Sequence, residues 1–488
     1  MSPAPIPIRM FYMLLPALLT GCVVGPDYRT PQPVVPTAWH SDTGGGLKTV
    51  PLESARLTRW WQTLDDPLLS RLVAEAAANN LDLKLAEARL REARARRGLS
   101  ASDQYPALKA GAGVDHNRSS GEMGVGGGRV SDAYSAQFDA SWEPDLFGGK
   151  RRALEAASAT SEAAEENLRD VQVSLLAEVV LNYIEVRSSQ EQINITRATI
   201  TSLTETVQIA DWRLQAGLVS QLDLEQARLN LEQTRAQLPA LSSTMEQSRN
   251  NLALLLGRNP GTLEELQAAG PIPSAKAQIA IGIPAETLRR RPDIRRAERQ
   301  LAAATAQIGQ AEADRYPNLS LSGTIGLQAS SLGNLLQPGA YLYTLAANTA
   351  VTIFDGGRLR QKVEIQNALQ QQALISYQSA VKSALRDVEN ALTAYAGEQN
   401  RRQSLQDAVQ AAKSAVELAT SKYAAGLIDF QPVLDSQRSL LSLRNQLTQS
   451  QAAVTSNLAR LYKAVGGGWS NSSVDSSTPS DNSSGEKS

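Results

Sequence analysis

The chain has 488 residues, of which 42% are hydrophobic, 5% aromatic and 20% charged, and its formal net charge is −1. This is too apolar for a disordered chain, too polar for a bundle of membrane helices, and it lacks the basic excess that nucleic acid would require. One cysteine, Cys22, and two distant histidines, His40 and His116, exclude an internal disulfide and a cysteine-rich zinc site.

At the N-terminus Arg9 precedes a short apolar stretch, Met10 to Leu19. It cannot span a bilayer as a helix but has the size of a signal-peptide core. It ends in Leu19-Thr20-Gly21-Cys22, which resembles the lipobox of bacterial lipoproteins. The resemblance implies a signal peptide over 1–21, cleaved before Cys22, with acyl chains on that cysteine and no other cofactor. Val23 stands where an inner-membrane retention signal would place Asp, so the resemblance implies an outer-membrane address. Several acyl chains hold a protein stably on lipid where one does not. Residues 22–64 then form an acylated, extended leader.

From residue 65 the chain reads as a first repeat (65–270), a linker (271–291), a second repeat (292–469) and a Ser/Asn/Asp-rich tail (470–488) expected to be disordered. Tyr105-Pro106-Ala107-Leu108 returns as Tyr316-Pro317-Asn318-Leu319, and Phe147-Gly148-Gly149-Lys150-Arg151 as Phe354-Asp355-Gly356-Gly357-Arg358. Arg213 to Leu218 returns as Lys422 to Leu427, and Asn251-Leu252-Ala253 as Asn457-Leu458-Ala459. Each repeat should hold a helix, two strands and a long helical hairpin. Alternation marks the strands: Tyr134, Ala136, Phe138, Ala140 and Trp142 in the first repeat; Leu319, Leu321, Ile325 and Leu327, then Tyr341, Tyr343, Leu345, Ala347, Val351 and Ile353, in the second. Gly/Ser-rich loops near Gly121–Gly128 and Ser330–Gly339 join each pair. Strands of this length suit a tilted crossing of a bilayer, yet four cannot close a barrel, and open edges in lipid are costly. Membrane placement therefore demands further copies, giving 8, 12 or 16 strands for two, three or four.

After each strand pair comes a long stretch almost free of helix breakers. Arg151 to Ala216 has neither Gly nor Pro, and Arg358 to Ala425 has only Gly397. In the latter, Leu374, Tyr377, Val381, Leu385, Val388, Leu392 and Tyr395 follow the 3.5-residue period of a left-handed coiled coil. Each stretch reaches a glycine, Gly217 or Gly426, suited to a helix cap and reversal. A returning helix runs on to about Gly257 or Gly466, with a kink expected at Pro239.

These elements resemble the outer membrane factors, the TolC-like channels, and in particular their NodT-type lipoprotein branch. The most specific residues are Cys22-Val23-Val24-Gly25-Pro26-Asp27-Tyr28, Trp60-Trp61 with Asp65-Asp66-Pro67-Leu68, and Arg290-Arg291-Pro292-Asp293-Ile294-Arg295. Phe354 to Arg358 and the closing Leu461 to Trp469 match as well. The resemblance implies a mostly helical fold with a small β part. As a homotrimer it would form one 12-stranded barrel in outer-membrane lipid and an α-barrel across the periplasm. A periplasmic adaptor (membrane fusion) protein and an inner-membrane RND-type transporter would drive small molecules into this passive duct. Adaptor docking would fall on the hairpin tips: Arg213, Gly217, Leu218, Val219 and Ser220, and Tyr423, Gly426, Leu427, Ile428 and Asp429. Three copies of Asp435 would ring a periplasmic gate, with Glu225 as the counterpart in the first repeat. The bland alternative is a solvated helix-face aspartate pairing locally, for example with Arg438. The pattern departs from the family at Gln431 and Pro432, which replace an apolar residue or a second acid in the gate, and at Ile428, which replaces a locking arginine.

Type I protein secretion and a structural lipoprotein spanning the periplasm are the alternative functions, the latter having no need of alternating strands. Gly124 to Gly128 superficially looks like a phosphate loop but joins two strands. The sequence shows no nucleophile elbow and no recognisable paired His/acid motif, which argues against an envelope hydrolase.

Overall fold

The computed structural model describes residues 23–33, 35–41, 47–49, 57–122, 128–274, 279–281 and 284–469. The signal segment, Cys22, Gly124 to Gly127 and the tail from residue 470 lie outside them. The elements are β1 (Leu47–Thr49), α1 (Pro67–Asn79), α2 (Leu81–Ser102), β2 (Ala107–Arg118), β3 (Val130–Trp142), α3 (Gly149–Gln215), α4 (Gln221–Arg235) and α5 (Gln237–Leu255). There follow β4 (Ile279–Ile281), α6 (Pro284–Arg290), α7 (Pro292–Ala313), β5 (Asn318–Ala329), β6 (Tyr341–Ala350), α8 (Arg358–Ala424) and α9 (Gln431–Ala464). Among the described residues no helix is long and apolar enough to cross a membrane.

The chain divides into two compact units that cut across the repeats. One takes the segment up to Pro33, Glu87–Glu166 and Asp293–Ala380; the other takes Val34–Ala86, Asn167–Pro292 and the chain from Val381. In the first unit β2, β3, β5 and β6 form one antiparallel sheet in that order, so β2 and β6 are its edges. β6 stops at Ala350, opposite Asn318 at the start of β5. The sequence expectation that Val351 and Ile353 continue this strand is corrected: among the described residues they have no strand to pair with, and both are exposed.

In the second unit α1 starts at Pro67, whose missing N–H is no loss at a first helical position. Asp66 caps it by accepting from the Leu69 N–H at 3.0 Å. Trp60 stacks on Tyr462 at 5.0 Å in a core that includes Leu72, Leu176, Tyr183, Leu252, Val388 and Leu458. Each such side chain contributes roughly 1.5–3 kcal/mol by leaving water. The arginine-proline signature has a local task here, because Arg291 donates to the Ala464 carbonyl at the end of α9 at 3.0 Å. Gly466, at φ +76, lies against the Arg291 backbone, where a Cβ would come within 3.3 Å of Arg291 Cα. The Glu389 carboxylate accepts from the backbone N–H groups of His40 and Ser41 at 2.7 and 2.9 Å. Burial raises its pKa, but the Ser41 hydroxyl and those N–H groups outweigh burial and hold it below the ordinary range.

The long helices are continuous: α3 and α8 have 67 residues each, and α8 passes through Gly397 unbroken. The expected coiled-coil positions Tyr377, Val381, Val388, Leu392 and Tyr395 are buried. The break near Pro239 falls at Ala236 between α4 and α5, because proline removes the N–H that would bond residue 235 and crowds that carbonyl.

Candidate functional site

Three places carry the features expected to matter: the sheet, the N-terminal segment and the hairpin tips. On the sheet, register decides which side chains share a face. Leu108, Ala110, Ala112 and Val114 lie opposite Ala140, Phe138, Ala136 and Tyr134. The same face continues through Leu321, Ile325 and Leu327 to Ala347, Tyr343 and Tyr341. Phe138, Ile325, Tyr343 and Leu345 are exposed, so this apolar face has no cover among the described residues. The other face carries Lys109, Gln137, Asp139, Thr324, Thr344 and Asn348. There the Thr324 hydroxyl donates to Asp139 Oδ1 at 2.7 Å and Gln137 Nε2 donates to the same carboxylate at 3.1–3.2 Å.

Cys22 lies outside the described residues, but the segment after it is firmly held in the first unit. The Val24 N–H donates to the Phe147 carbonyl at 3.1 Å. The buried Arg152 guanidinium donates to the carbonyls of Val24 and Gly25, to Asp27 Oδ1 at 2.7 Å and to Glu155 Oε2 at 2.8 Å. Gly25 sits at φ +85, and a Cβ there would fall 2.3 Å from Gly309 Cα. This close approach explains the glycine of the Gly-Pro-Asp-Tyr run. The Tyr28 hydroxyl donates to Glu298 Oε1 at 3.2 Å; burial, then the Glu298 charge, push its pKa up to about 12. Arg152 was not among the residues the sequence singled out, and only its place just after the Phe147 to Arg151 echo hinted at it. Arg152→Ala removes charge-assisted bonds worth about 2 kcal/mol. The expected result is rapid hydrogen exchange at Val24 with the sheet amides unchanged; undiminished protection of Val24 would contradict this role.

At the tips, in the second unit, the two hairpins end alike. Gly217 and Gly426 both adopt φ +71. Leu218 N–H donates to the Arg213 carbonyl at 2.8 Å, and Leu427 N–H to the Lys422 carbonyl at 2.9 Å. This is the Schellman pattern that closes a helix through a left-handed residue. It leaves Leu218 and Leu427 each 73% exposed. Val219 and Ile428 are half-buried, Asp429 is exposed, and Ser220 caps α4 in a reciprocal pair with Asp223. Arg213 reaches across to the second tip, donating to the Tyr423 and Ala424 carbonyls at 3.3 and 3.2 Å, with its guanidinium 4.5 Å from the Tyr423 ring centre. Beneath lie Ala210, Leu224, Ala227, Ala419, Phe430, Val433 and Leu434, a cluster the sequence reading did not identify.

Arg438 is not the local partner of Asp435: its Nε donates instead to Asn230 Oδ1 at 2.9 Å. Asp435 accepts from Gln431 Nε2 at 2.9 Å, and Glu225 accepts from Gln221 Nε2 at 3.0 Å. Both acids are exposed and both are held by a glutamine one turn earlier, so Gln431 positions Asp435. Glu225 also pairs with Arg228 at 3.0 Å. Pro432 sits in the first turn of α9, where proline is tolerated.

Comparison with known proteins finds matches over most of the chain. The family model described as outer membrane efflux protein matches twice, over residues 72–258 and 283–467. The solvent efflux pump outer membrane protein SrpC of Pseudomonas putida is 32% identical over 466 residues, covering 95% of this chain and 98% of its own. Nodulation protein T of Rhizobium leguminosarum bv. viciae is 32% identical over 468 residues, covering 94% of each. Among solved structures, the outer-membrane channel OprN superposes with a TM-score of 0.87 at 36% identity, covering 92% of this chain and all of that one.

Proposed function

The chain belongs to the outer membrane efflux protein family and serves in the outer membrane of a Gram-negative cell as an efflux channel, and we propose that three copies build it. The observation that carries this reading is the four-stranded sheet, apolar on one face and polar on the other, with both edges open. In lipid each unpaired backbone group costs several kcal/mol, so edges must close on other copies. Three copies give twelve strands, with the Lys109, Asp139 and Asn348 face lining water and the Phe138, Tyr343 and Leu345 face meeting lipid. Acyl chains on Cys22 anchor each copy beside this barrel.

The 67-residue helices, roughly 100 Å each at 1.5 Å per residue, continue the passage through the periplasm. Their tips dock a periplasmic adaptor, which couples the channel to an inner-membrane transporter. Asp435 from each copy forms the gate. The channel does no chemistry and supplies a wet path. The relative named for solvent efflux supports small-molecule export over protein secretion, and a structural lipoprotein would not need a two-faced sheet. Single-particle imaging of the detergent-extracted, acylated protein should give three-fold particles with a continuous lumen. A monomer, or a helical rod without a lumen, would overturn the reading.

A further inference from the structure

We propose that a polar cavity between the two helical hairpins, walled by α3, α5 and α9, binds a small zwitterionic amino acid, with Glu185 taking its ammonium and Arg460 its carboxylate. The cavity has a volume of about 390 Å³, and all of its lining comes from the second unit of one chain. It lies roughly 40 Å along α3 from Gly217, well away from the tips. The inference goes beyond the channel reading and does not depend on it.

The floor is built from α3. Ser188, Ser189 and Gln192 are only 2%, 1% and 6% exposed, on a helix surface that an ordinary coiled coil would fill with apolar side chains. Gln192 is engaged: its amide donates to the Ser188 hydroxyl at 3.2 Å, and its Oε1 accepts from Gln449 Nε2 at 3.0 Å. Ser189 is not. Its side chain lines the cavity, and its hydroxyl has no hydrogen-bond partner among the described residues. Other hydroxyls of α3 turn back onto the carbonyl four residues earlier, as Thr196 does to Gln192 at 2.7 Å and Thr199 to Ile195 at 2.8 Å. Ser189 forgoes that bond, and a buried hydroxyl left unsatisfied costs stability. The cavity therefore holds a donor and acceptor that its own walls do not use.

Helix direction sets where the charges lie. Gln192 meets Gln449 and Thr206 meets Gln437, so α3 and α9 run antiparallel. Glu185, two turns before Gln192, is then level with Ser456, and Arg460 lies one turn beyond. All three line the cavity. The two glutamines close one end, and the two charged residues stand at the other, roughly 10 Å away along the helices. Among the described residues the Glu185 carboxylate has no partner, and Arg460 donates to Asn457 Oδ1 at 2.9 Å but meets no carboxylate. A lone anion would be repelled by Glu185 and a lone cation by Arg460. A purely apolar molecule would find only Leu241, Ala452 and Ala453, with no aromatic ring. A molecule with both charges on one carbon and a polar side chain meets each requirement. Its ammonium donates to Glu185, its carboxylate accepts from Arg460, and its side chain runs past Ser189 toward Gln449.

The test uses L-glutamine as the probe and the detergent-extracted, acylated full chain as the protein. Calorimetric titration should show saturable binding of one glutamine per chain. The unfolding temperature should rise with glutamine concentration, because the ligand adds bonds between the two hairpins. N-acetyl-L-glutamine has no ammonium and L-glutaminamide has no α-carboxylate, so each should bind roughly tenfold to a hundredfold more weakly. Glu185→Gln and Arg460→Gln should weaken glutamine binding to the same extent; both side chains are exposed, so the fold survives their replacement. In Glu185→Gln the penalty for N-acetylation should disappear, which a merely structural role for Glu185 would not produce. Ser189→Ala should weaken binding while raising the unfolding temperature of the empty protein. Absence of saturable binding, equal binding after N-acetylation, or an affinity unchanged in both charge variants would overturn the site.

Discussion

Leu218→Glu together with Leu427→Glu should abolish efflux while leaving the channel folded and assembled. Both side chains are 73% exposed and held at the apex of a closed helix cap, so replacing them removes no buried contact within the chain. Exposed substitutions of this kind shift stability by about 0.5 kcal/mol or less. In an adaptor interface the balance reverses. Each leucine contributes about 2 kcal/mol on leaving water, so two per chain set docking strength by a factor of about a thousand before the cost of desolvating two carboxylates is counted. Resistance to the exported compound should fall to that of a strain lacking the gene, and a tagged adaptor should no longer co-purify, while native mass shows the wild-type assembly. Wild-type resistance in the double variant would remove the tips from the docking surface. Gly217→Ala is the milder comparison: it forces a Cβ into φ +71 and strains the turn by roughly 1 kcal/mol without adding charge.

The tips were legible because their signal is local. A long run without breakers, a glycine and an apolar residue after it describe a capped reversal wherever they occur, and the second repeat says the same thing again. Strand alternation was legible for the same reason, and its polarity survives in the paired sheet. What depends on contacts between distant segments was not. Nothing near Arg152 in sequence indicates that its guanidinium collects the carbonyls of Val24 and Gly25, more than 120 residues away. Arg438 lies within one turn of Asp435 and looks like its partner, yet Asn230 from the first repeat holds it. The reverse also holds: Gln431 read as a departure from the family, but its amide lies one helical turn before Asp435 and donates to it, just as Gln221 does to Glu225. Periodicity assigns a residue to a face, while the choice of partner on that face depends on which segments pack there.

The gate gives the second large effect, carried by Asp435→Asn. Among the described residues no cation pairs with Asp435: Arg438 is engaged by Asn230, and Gln431 offers only a neutral amide. Glu225 differs, since Arg228 lies 3.0 Å from it and offsets its charge locally. If the channel aperture is ringed by three copies of Asp435, their unpaired charges dominate its field. Two charges 4 Å apart interact by about 1 kcal/mol in bulk water and about 4 kcal/mol at the effective dielectric of a protein surface, which for a passing cation corresponds to roughly tenfold or more in permeability. Asparagine retains an oxygen for the Gln431 amide, so the local geometry is kept while the charge is removed. In planar bilayers Asp435→Asn should therefore lower the cation-to-anion permeability ratio about tenfold, and Glu225→Gln should change it much less. Salt provides a second readout. Raising ionic strength from 0.1 to 1 M shortens the screening length from about 10 to about 3 Å, so wild-type selectivity should fall with salt and that of Asp435→Asn should barely respond. An unchanged ratio in Asp435→Asn, or a loss that instead follows Glu225→Gln, would move the charged constriction from the second repeat to the first.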